Sequence, residues 1–439
     1  MSRLVGLMIA DAARRAALPL ERAVADTRGA QEAVLALMMH RNRNTEYGRE
    51  YGFAGVRNLT EYARRVPVVG YEDLQDRIDR ITRGEPNVLT VENPALFARA
   101  QGTTGRPKLI PVTPTCLKTG GLTLWLHYAR RDQPRMFDGR LMIIVSPAIE
   151  GRTPGNIPYG AMSGMVVKDV PRRVRSAYAV PSEVFEIDSY AAKYYALLRL
   201  GLAVNVTFLA AANPPSLLSL AEFADRYGNS LIRDIHDGTL SDHFEVSPAI
   251  YAMLARRLKA APARARALEQ MRARRGRLVP ADYWPDLALL GCWKGGTAGC
   301  FTQKLPPWYD PDGRRMPPIR DMGYLASGTR MSVPVSDRST GGVLTVHANV
   351  FELVPADEVE DRPDAQESWR YVPAADVEIG QKYYVFISTT GGLYRYDVND
   401  VVEVVDRYRT APVVELRRKG RGMPSMAGEI EAEEKLGRY

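Results

Sequence analysis

Ala100-Gln101-Gly102-Thr103-Thr104-Gly105-Arg106-Pro107-Lys108-Leu109-Ile110-Pro111 follows a short apolar run and combines two glycines, two adjacent threonines and a lysine. Such a loop can turn several backbone N–H groups and two hydroxyls toward one point, with an ammonium beside them. A polyphosphate suits it, offering many acceptor oxygens and dense negative charge. The spacing is not Gly-x-x-x-x-Gly-Lys-Ser/Thr, which excludes a P-loop NTPase. Taken alone, a solvated Gly/Thr turn ahead of a strand has the same composition. The surrounding chain decides between them.

A helix is expected over residues 72–83, before the loop, and another over 117–130, after it. Residues 141–145 read as a buried strand ending at Ser146-Pro147, and residues 202–210 as a second. Asn213-Pro214-Pro215-Ser216 then opens a helix running through Tyr227, with proline and serine as ordinary N-terminal signals. A short strand at 287–290 leads straight into Trp293-Lys294-Gly295-Gly296. From about residue 342 the pattern changes to alternating strands, at 343–347, 383–388, 401–405 and 413–417, separated by polar turns. The N-terminal 40 residues read as one or two amphipathic helices, with Leu4, Met8, Ala12 and Ala16 at helical spacing and Pro19 as a break. The fold class is therefore α/β: a layered α/β/α body followed by an antiparallel sheet or small β-barrel. The strand-to-loop junctions at Ala100, Gly291 and Gly323 are where such a sheet places its ligand.

Composition narrows the chemistry. With 439 residues, 45% of them hydrophobic, the chain exceeds one ordinary compact domain. No segment approaches the roughly twenty apolar residues of a membrane span. The apolar run at residues 4–10 is short and leads into Asp11 and Arg14-Arg15, so a cytoplasmic protein without a signal peptide or membrane partner is expected. Cys116, Cys292 and Cys300 are too few for a disulfide framework or zinc site. His40, His127, His236, His243 and His347 show no metal-ligand spacing. His127, on the helix after the loop, could see substrate or could simply be packed. Ser146 and Ser163 flank glycine-rich loops with no Ser-His-Asp logic to connect them, which argues against a hydrolase. The formal charge of +8 concentrates in the arginines of residues 256–277, read as the solvated face of one helical stretch. No zinc-finger or RNP-like pattern accompanies it, so no nucleic-acid partner is expected. The positive field can still draw in an anionic nucleotide and an organic acid.

Four blocks in this order, the threonine loop, Gly291-Cys292-Trp293-Lys294-Gly295-Gly296, Asp321-Met322-Gly323-Tyr324-Leu325-Ala326-Ser327 and Gly392-Leu393-Tyr394-Arg395-Tyr396-Asp397-Val398-Asn399-Asp400-Val401, resemble the GH3 family of acyl-acid amido synthetases. These are relatives of the acyl-activating adenylate-forming enzymes. The likeness begins at Thr45-Glu46-Tyr47-Gly48-Arg49-Glu50 and runs to Ser425-Met426-Ala427-Gly428-Glu429, nearly the whole chain.

The resemblance implies ATP as cofactor and an ATP-dependent acyl-acid–amine ligase. Its partners would be a small carboxylic acid and an amine such as an amino acid. It assigns Gly102, Thr103, Thr104, Gly105 and Lys108 to the phosphate loop, with Thr103, Thr104 and Lys108 closest to the chemistry. Gly295 and Gly296 match the adenine-side loop, Tyr324 the aromatic that stacks on adenine, and Ser327 its neighbouring hydroxyl. Asp400 matches the acceptor for the ribose hydroxyls and Arg418 a hinge-proximal arginine that contacts the nucleotide. Read without the family, Tyr324 could be a core tyrosine and Asp400 a turn residue beside Asn399.

Two departures qualify the resemblance. Gly328 stands where the family carries a glutamate that holds Mg²⁺ against the phosphates, and a neutral residue cannot supply that anionic oxygen. Water, Asp321 or the ATP itself would have to complete the shell. Gly328→Glu is then expected to tighten Mg²⁺-dependent ATP binding. Residues 1–424 would form the large domain and 425–439 a hinge remnant, leaving the family's C-terminal lid to a separate domain or protein. A non-catalytic descendant serving as a binding or assembly partner, and a thioester-forming acid ligase, remain as alternatives.

Overall fold

The computed structural model describes residues 3–100, 108–119, 121–168, 171, 173–242, 244–295, 299–326 and 328–421. At its centre lies a parallel sheet whose strands run in the order Arg140–Ile144, Val206–Ala211, Leu289–Gly291 and Ile319–Arg320. Side chains alternate across these strands with the period of two that a pleated backbone imposes. Leu141, Ile143, Phe208, Ala210 and Leu289 enter one apolar core. Met142, Leu209, Ala211 and Leu290 enter another. The sheet therefore divides two cores, each closed by helices, as parallel sheets require. This is the expected layered α/β/α body.

Over the first core lie Pro114–Thr119 and Leu122–Asp132, two helices where one was expected. The break falls at Gly121, whose extended backbone (φ −68°, ψ 163°) caps the second helix. Over the second core lie Tyr190–Gly201, Pro214–Arg226, Gly228–Asp237 and Pro262–Arg275. The apolar run read as a strand from residue 202 divides there. Leu202 closes the helix that precedes it, and the strand starts only at Val206. The arginine-rich stretch is not one helix: Arg256 and Arg257 lie in the turn after Pro248–Ala255, and the helix Pro262–Arg275 begins only beyond it. Several of its cations hold the fold together rather than facing solvent. Arg264 donates to the carbonyls of Leu202 and Tyr283 at 2.8 and 2.7 Å, and Arg275 bridges Asp282 and Asp312.

The helix Arg3–Ala23 runs through Pro19 without breaking. Pro19 lies on the exposed face, so water can reach the carbonyl that its missing N–H leaves free. Ala13, Ala17 and Leu20 form the buried stripe opposite. The chain turns only after Ala23, where Asp26 caps Thr27–Asn42 by accepting from the Gly29 N–H. Among the described residues no helix is long and apolar enough to cross a membrane.

The C-terminal part is an open antiparallel sheet, the first of the two forms expected. Its seven strands run in the order Ser332–Val333, Gly342–Leu344, Ala411–Lys419, Tyr396–Tyr408, Lys382–Ser388, Val350–Pro355 and Val372–Pro373. Val350–Pro355 escapes a sequence reading because Glu352 interrupts its apolar run. That carboxylate is buried and accepts from Arg395 Nε at 2.9 Å. A smaller four-stranded sheet pairs Leu96–Ala100 antiparallel with Lys108–Val112, with Ala100 opposite Lys108. The N-terminal helices lock onto the C-terminal sheet. Gln31 donates to the carbonyls of Val346 and Asn349 and accepts from the Phe351 N–H.

Candidate active site

A cavity of about 1640 Å³ opens where the parallel strands end. Its floor takes Ile144 and Val145 from the first strand's exit, Ala211 to Asn213 from the second, Trp293 from the third and Met322 from the fourth. Carboxyl ends of parallel strands are the usual ligand position in such sheets. One wall comes from the small sheet and the helix beside it, through Ala98, Lys108, Ile110, Cys116 and Leu117. A second wall is the lip of the antiparallel sheet, with Tyr396, Asp397, Asn399, Lys419 and Arg421.

Lys108 sits at the mouth. Its ammonium lies 3.3 Å from Glu72 Oε1 and 5.1 Å from the centre of the Tyr71 ring. The hairpin register places it directly across from Ala100, at the base of the threonine loop. Gly102, Thr103, Thr104, Gly105, Gly296 and Ser327 lie outside the described residues.

Tyr324 and Asp400 meet just behind the cavity wall. The Tyr324 hydroxyl donates to Asp400 Oδ2 at 2.6 Å, and Lys419 Nζ lies 2.8 Å from Oδ1. Asp400 is wholly buried and belongs to the strand Tyr396–Tyr408, not to a turn. Burial first, and the Asp400 charge second, push the Tyr324 hydroxyl well above the usual phenol range.

Across the ladder Asp400 faces Lys419, and Val401 faces Arg418. Alternation therefore turns Lys419 toward the site and Arg418 away. Arg418 bonds Glu360, so the structure separates it from the cavity that Lys419 lines. Lys419 was legible only through the register, since Arg418 and Lys419 look equivalent in sequence. Asp397 and Arg421 form a second ion pair on the same lip. Burial holds the Asp397 carboxyl above its ordinary value, opposed by Arg421. Asn399 adopts φ +54° and fixes that lip by exchanging bonds with Arg421, its Nδ2 donating to O and its Oδ1 accepting from N, each at 2.9 Å.

Asp321 organises the loop that follows the third parallel strand. Its Oδ2 accepts from the Lys294 N–H at 2.6 Å and its Oδ1 from the Gly323 N–H at 2.7 Å. Burial raises this carboxyl, and the N–H groups partly offset it. Trp293 ties the same two loops together, donating to the Gly323 carbonyl at 3.1 Å. Among the described residues, a Cβ at Gly295 would meet Leu416 O alone within 4 Å, at 3.9 Å, and their packing does not demand glycine there.

Gly328 borders the cavity with φ +70°. A Cβ on it would point at Val112 Cγ2 (3.0 Å), Ala98 Cβ (3.2 Å) and Ile110 Cγ2 (3.3 Å). A glutamate would start against an apolar wall in a backbone conformation that side chains disfavour. The expectation that it would simply restore a metal ligand is therefore withdrawn. Among the described residues no group of three or more His, Cys, Asp or Glu could hold a metal ion. Asp321 and Asp397 have both oxygens hydrogen-bonded, while Asp400 has one hydrogen bond and, at Oδ1, only the ion pair with Lys419. Among the described residues these carboxylates do not form a set that fits a resident Mg²⁺.

His127 lies away from the cavity. Its ring packs edge-on against Tyr128 at 5.1 Å, near Glu21 and Arg14 of the first helix, and burial lowers its pKa. It is packed, the second of its two readings.

Family models match this architecture. The GH3 family N-terminal domain covers residues 18–312 and the GH3 family central domain residues 342–419. The chain belongs to the GH3 family. It is 26% identical over 400 residues to the probable indole-3-acetic acid-amido synthetase GH3.2 of Oryza sativa subsp. japonica, covering 87% of this chain and 64% of that protein. It is likewise 26% identical over 438 residues to the indole-3-acetic acid-amido synthetase GH3.2 of Arabidopsis thaliana, covering 95% and 79%. The GH3 chain thus spans about two-thirds of the first of these. The solved structure of the GH3.15 acyl acid amido synthetase superposes with a TM-score of 0.77 at 24% identity, covering 92% of this chain and 71% of that one. AtGH3.15 in complex with 2,4-DB gives 0.78 at 22%, covering 94% and 72%. At these identities the likeness speaks for the fold.

Proposed function

We propose that this GH3 chain is the nucleotide- and acid-binding body of an ATP-dependent acyl-acid–amine ligase. The carrying observation is a cavity at the parallel strand ends that Lys108 and Lys419 line, with Asp400 and Tyr324 bonded behind Lys419 and Gly295 two residues beyond the lining Trp293. Its relatives' names, as amido synthetases, support the same reading. In this chemistry the acid's carboxylate oxygen bonds to the α-phosphorus of ATP and pyrophosphate leaves. The amine nitrogen then bonds to the acyl carbon, AMP leaves, and the amine's proton passes to solvent.

The chain's part is positioning and charge stabilisation. Lys108 offsets negative charge on the leaving pyrophosphate. Asp400 accepts from the ribose hydroxyls once Lys419 yields Oδ1. Space at Gly295 admits the base, and Tyr324 holds Asp400 from behind the wall. Because the reaction consumes ATP, we place the protein in the cytoplasm. A small acid and an amine, such as an amino acid, are its substrates.

Acid-dependent ATP–pyrophosphate exchange across a panel of acids tests this reading. Lys108→Ala should lower it about 10²-fold, the usual cost of one transition-state charge contact. Replacing the amine by coenzyme A separates amide from thioester formation. ATP binding without exchange for any acid would overturn the ligase reading in favour of a non-catalytic descendant.

A further inference from the structure

The helix Tyr190–Gly201 brings Lys193 into the cavity lining, on an element separate from the antiparallel lip. Other cations lining the cavity have partners. Lys108 meets Glu72, Arg99 meets Glu150, Lys419 meets Asp400, and Arg421 meets Asp397. Arg330 donates to the Met322 carbonyl, and Lys304 lies over the Phe301 ring. Lys193 is half-buried, yet among the described residues its ammonium has no hydrogen-bond, ion-pair or ring partner. Burial lowers its pKa, with only the more distant Asp188 opposing the shift.

Removing part of an ammonium's hydration without a replacement anion is unfavourable. On a packed surface the side chain would extend into water. Here it borders a cavity beside the stacked Tyr190 and Tyr194 rings, whose centres are 4.2 Å apart. Leu218, Ser219 and Glu222 line the same cavity from the next helix, and Asp188 lines it just before Tyr190. Neither carboxylate forms an ion pair with Lys193, so a half-buried cation at this mixed wall is a recognition point for a molecule bearing an anionic end.

We propose that Lys193 receives a substrate carboxylate that is not the one activated. This deepens the ligase reading and rests on it. The reacting carboxylate must lie with the phosphates, at the Lys108 and Asp400 end. An anion at Lys193 therefore belongs to a second carboxylate. It is either the far group of a dicarboxylic acid or the α-carboxylate of an amino-acid amine. In either case Lys193 sets specificity without touching the bond that forms.

The test compares Lys193→Met, Lys193→Gln and Lys193→Arg with the parent in two arms. In the first, pyrophosphate exchange is measured without amine, using dicarboxylic acids and their monomethyl esters. In the second, amide formation is measured with a fixed acid, using amino acids and their α-amides. The readout is the ratio of kcat/KM for each charged substrate to its neutral analogue. Removing a charge-assisted contact should lower that ratio about 10- to 100-fold in Lys193→Met and Lys193→Gln, with Lys193→Arg keeping most of it. A loss confined to the first arm makes the acid dicarboxylic, and a loss confined to the second assigns the contact to the amine. Unchanged ratios in both arms, in a parent that does exchange, overturn the role of Lys193 alone. A parent that exchanges with no acid overturns the ligase reading, and this inference with it.

Discussion

Gly328→Ala isolates the constraint at the cavity wall where a carboxylate would otherwise be sought. Two costs add. The backbone lies in the left-handed region at φ +70°, which a Cβ penalises by about 1–2 kcal/mol. The new methyl would also press on Val112, Ala98 and Ile110 at 3.0–3.3 Å. Ala98 and Ile110 are directly paired across two strands and cannot easily withdraw, so overpacking costs a further roughly 1–3 kcal/mol. The variant should therefore lose about 2–5 kcal/mol, read as a lower urea midpoint at unchanged m-value. Gly276→Ala supplies the comparison, because Gly276 has φ +81° and nothing within 4 Å of its would-be Cβ. It should lose only the backbone part, about 1–2 kcal/mol. Equal losses in the two variants would refute the wall contact, and a Gly328→Ala loss below about 0.5 kcal/mol would refute the whole argument. Gly328→Glu begins from the same clash, so its ATP affinity should fall with Mg²⁺ and with EDTA alike.

Tyr324→Phe removes a buried hydrogen bond to a carboxylate, 2.6 Å long, and should lower the unfolding free energy by about 1.5–3 kcal/mol. A change under about 0.5 kcal/mol would mean that Asp400 is satisfied without it. Asp321→Asn tests the burial of that carboxyl through pH. Its folded-state pKa is raised above the ordinary 3.8, so the native chain holds the proton more tightly than the unfolded chain does. The stability it contributes is complete below that ordinary value and declines as pH rises through the raised one. The variant lacks this slope, so its stability relative to the parent should improve as pH rises above about 4; parallel curves would contradict the shift.

The sequence made the layers legible where one signal dominated. The apolar run at 141–145 and the Asn213-Pro214 helix start lie within a residue or so of the observed elements. Failures came where two principles competed. Pro19 is a helix breaker only if the freed carbonyl is buried, and exposure is a tertiary property. The run from residue 202 is as apolar as a buried strand, but its first residues close a buried helix. Glu352 hid a central strand because its compensating Arg395 comes 43 residues later. At the site, Tyr324 and Asp400, drawn from two separate sequence blocks, meet in one hydrogen bond. Lys193, Lys419 and Arg421 carry no motif of their own. They are defined by which face of a helix or strand they occupy and by whether a partner lies within reach.

The clasp between the first helices and the last sheet has a consequence during synthesis. Gln31 is 315 residues from Val346, and Thr27 is 383 from Thr410. At about 5–20 residues per second, the N-terminal helices emerge roughly 15 to 75 seconds before the strands that cover them. Through that interval Leu35, Met38 and Met39, all buried in the finished protein, lack the part of their native surface that Val350–Pro355 supplies. Contacts this remote in sequence also slow folding, because distant segments must be brought together before burial rewards them. The newborn chain thus carries an apolar face longest at the end made first, where a chaperone would find its earliest and most persistent target.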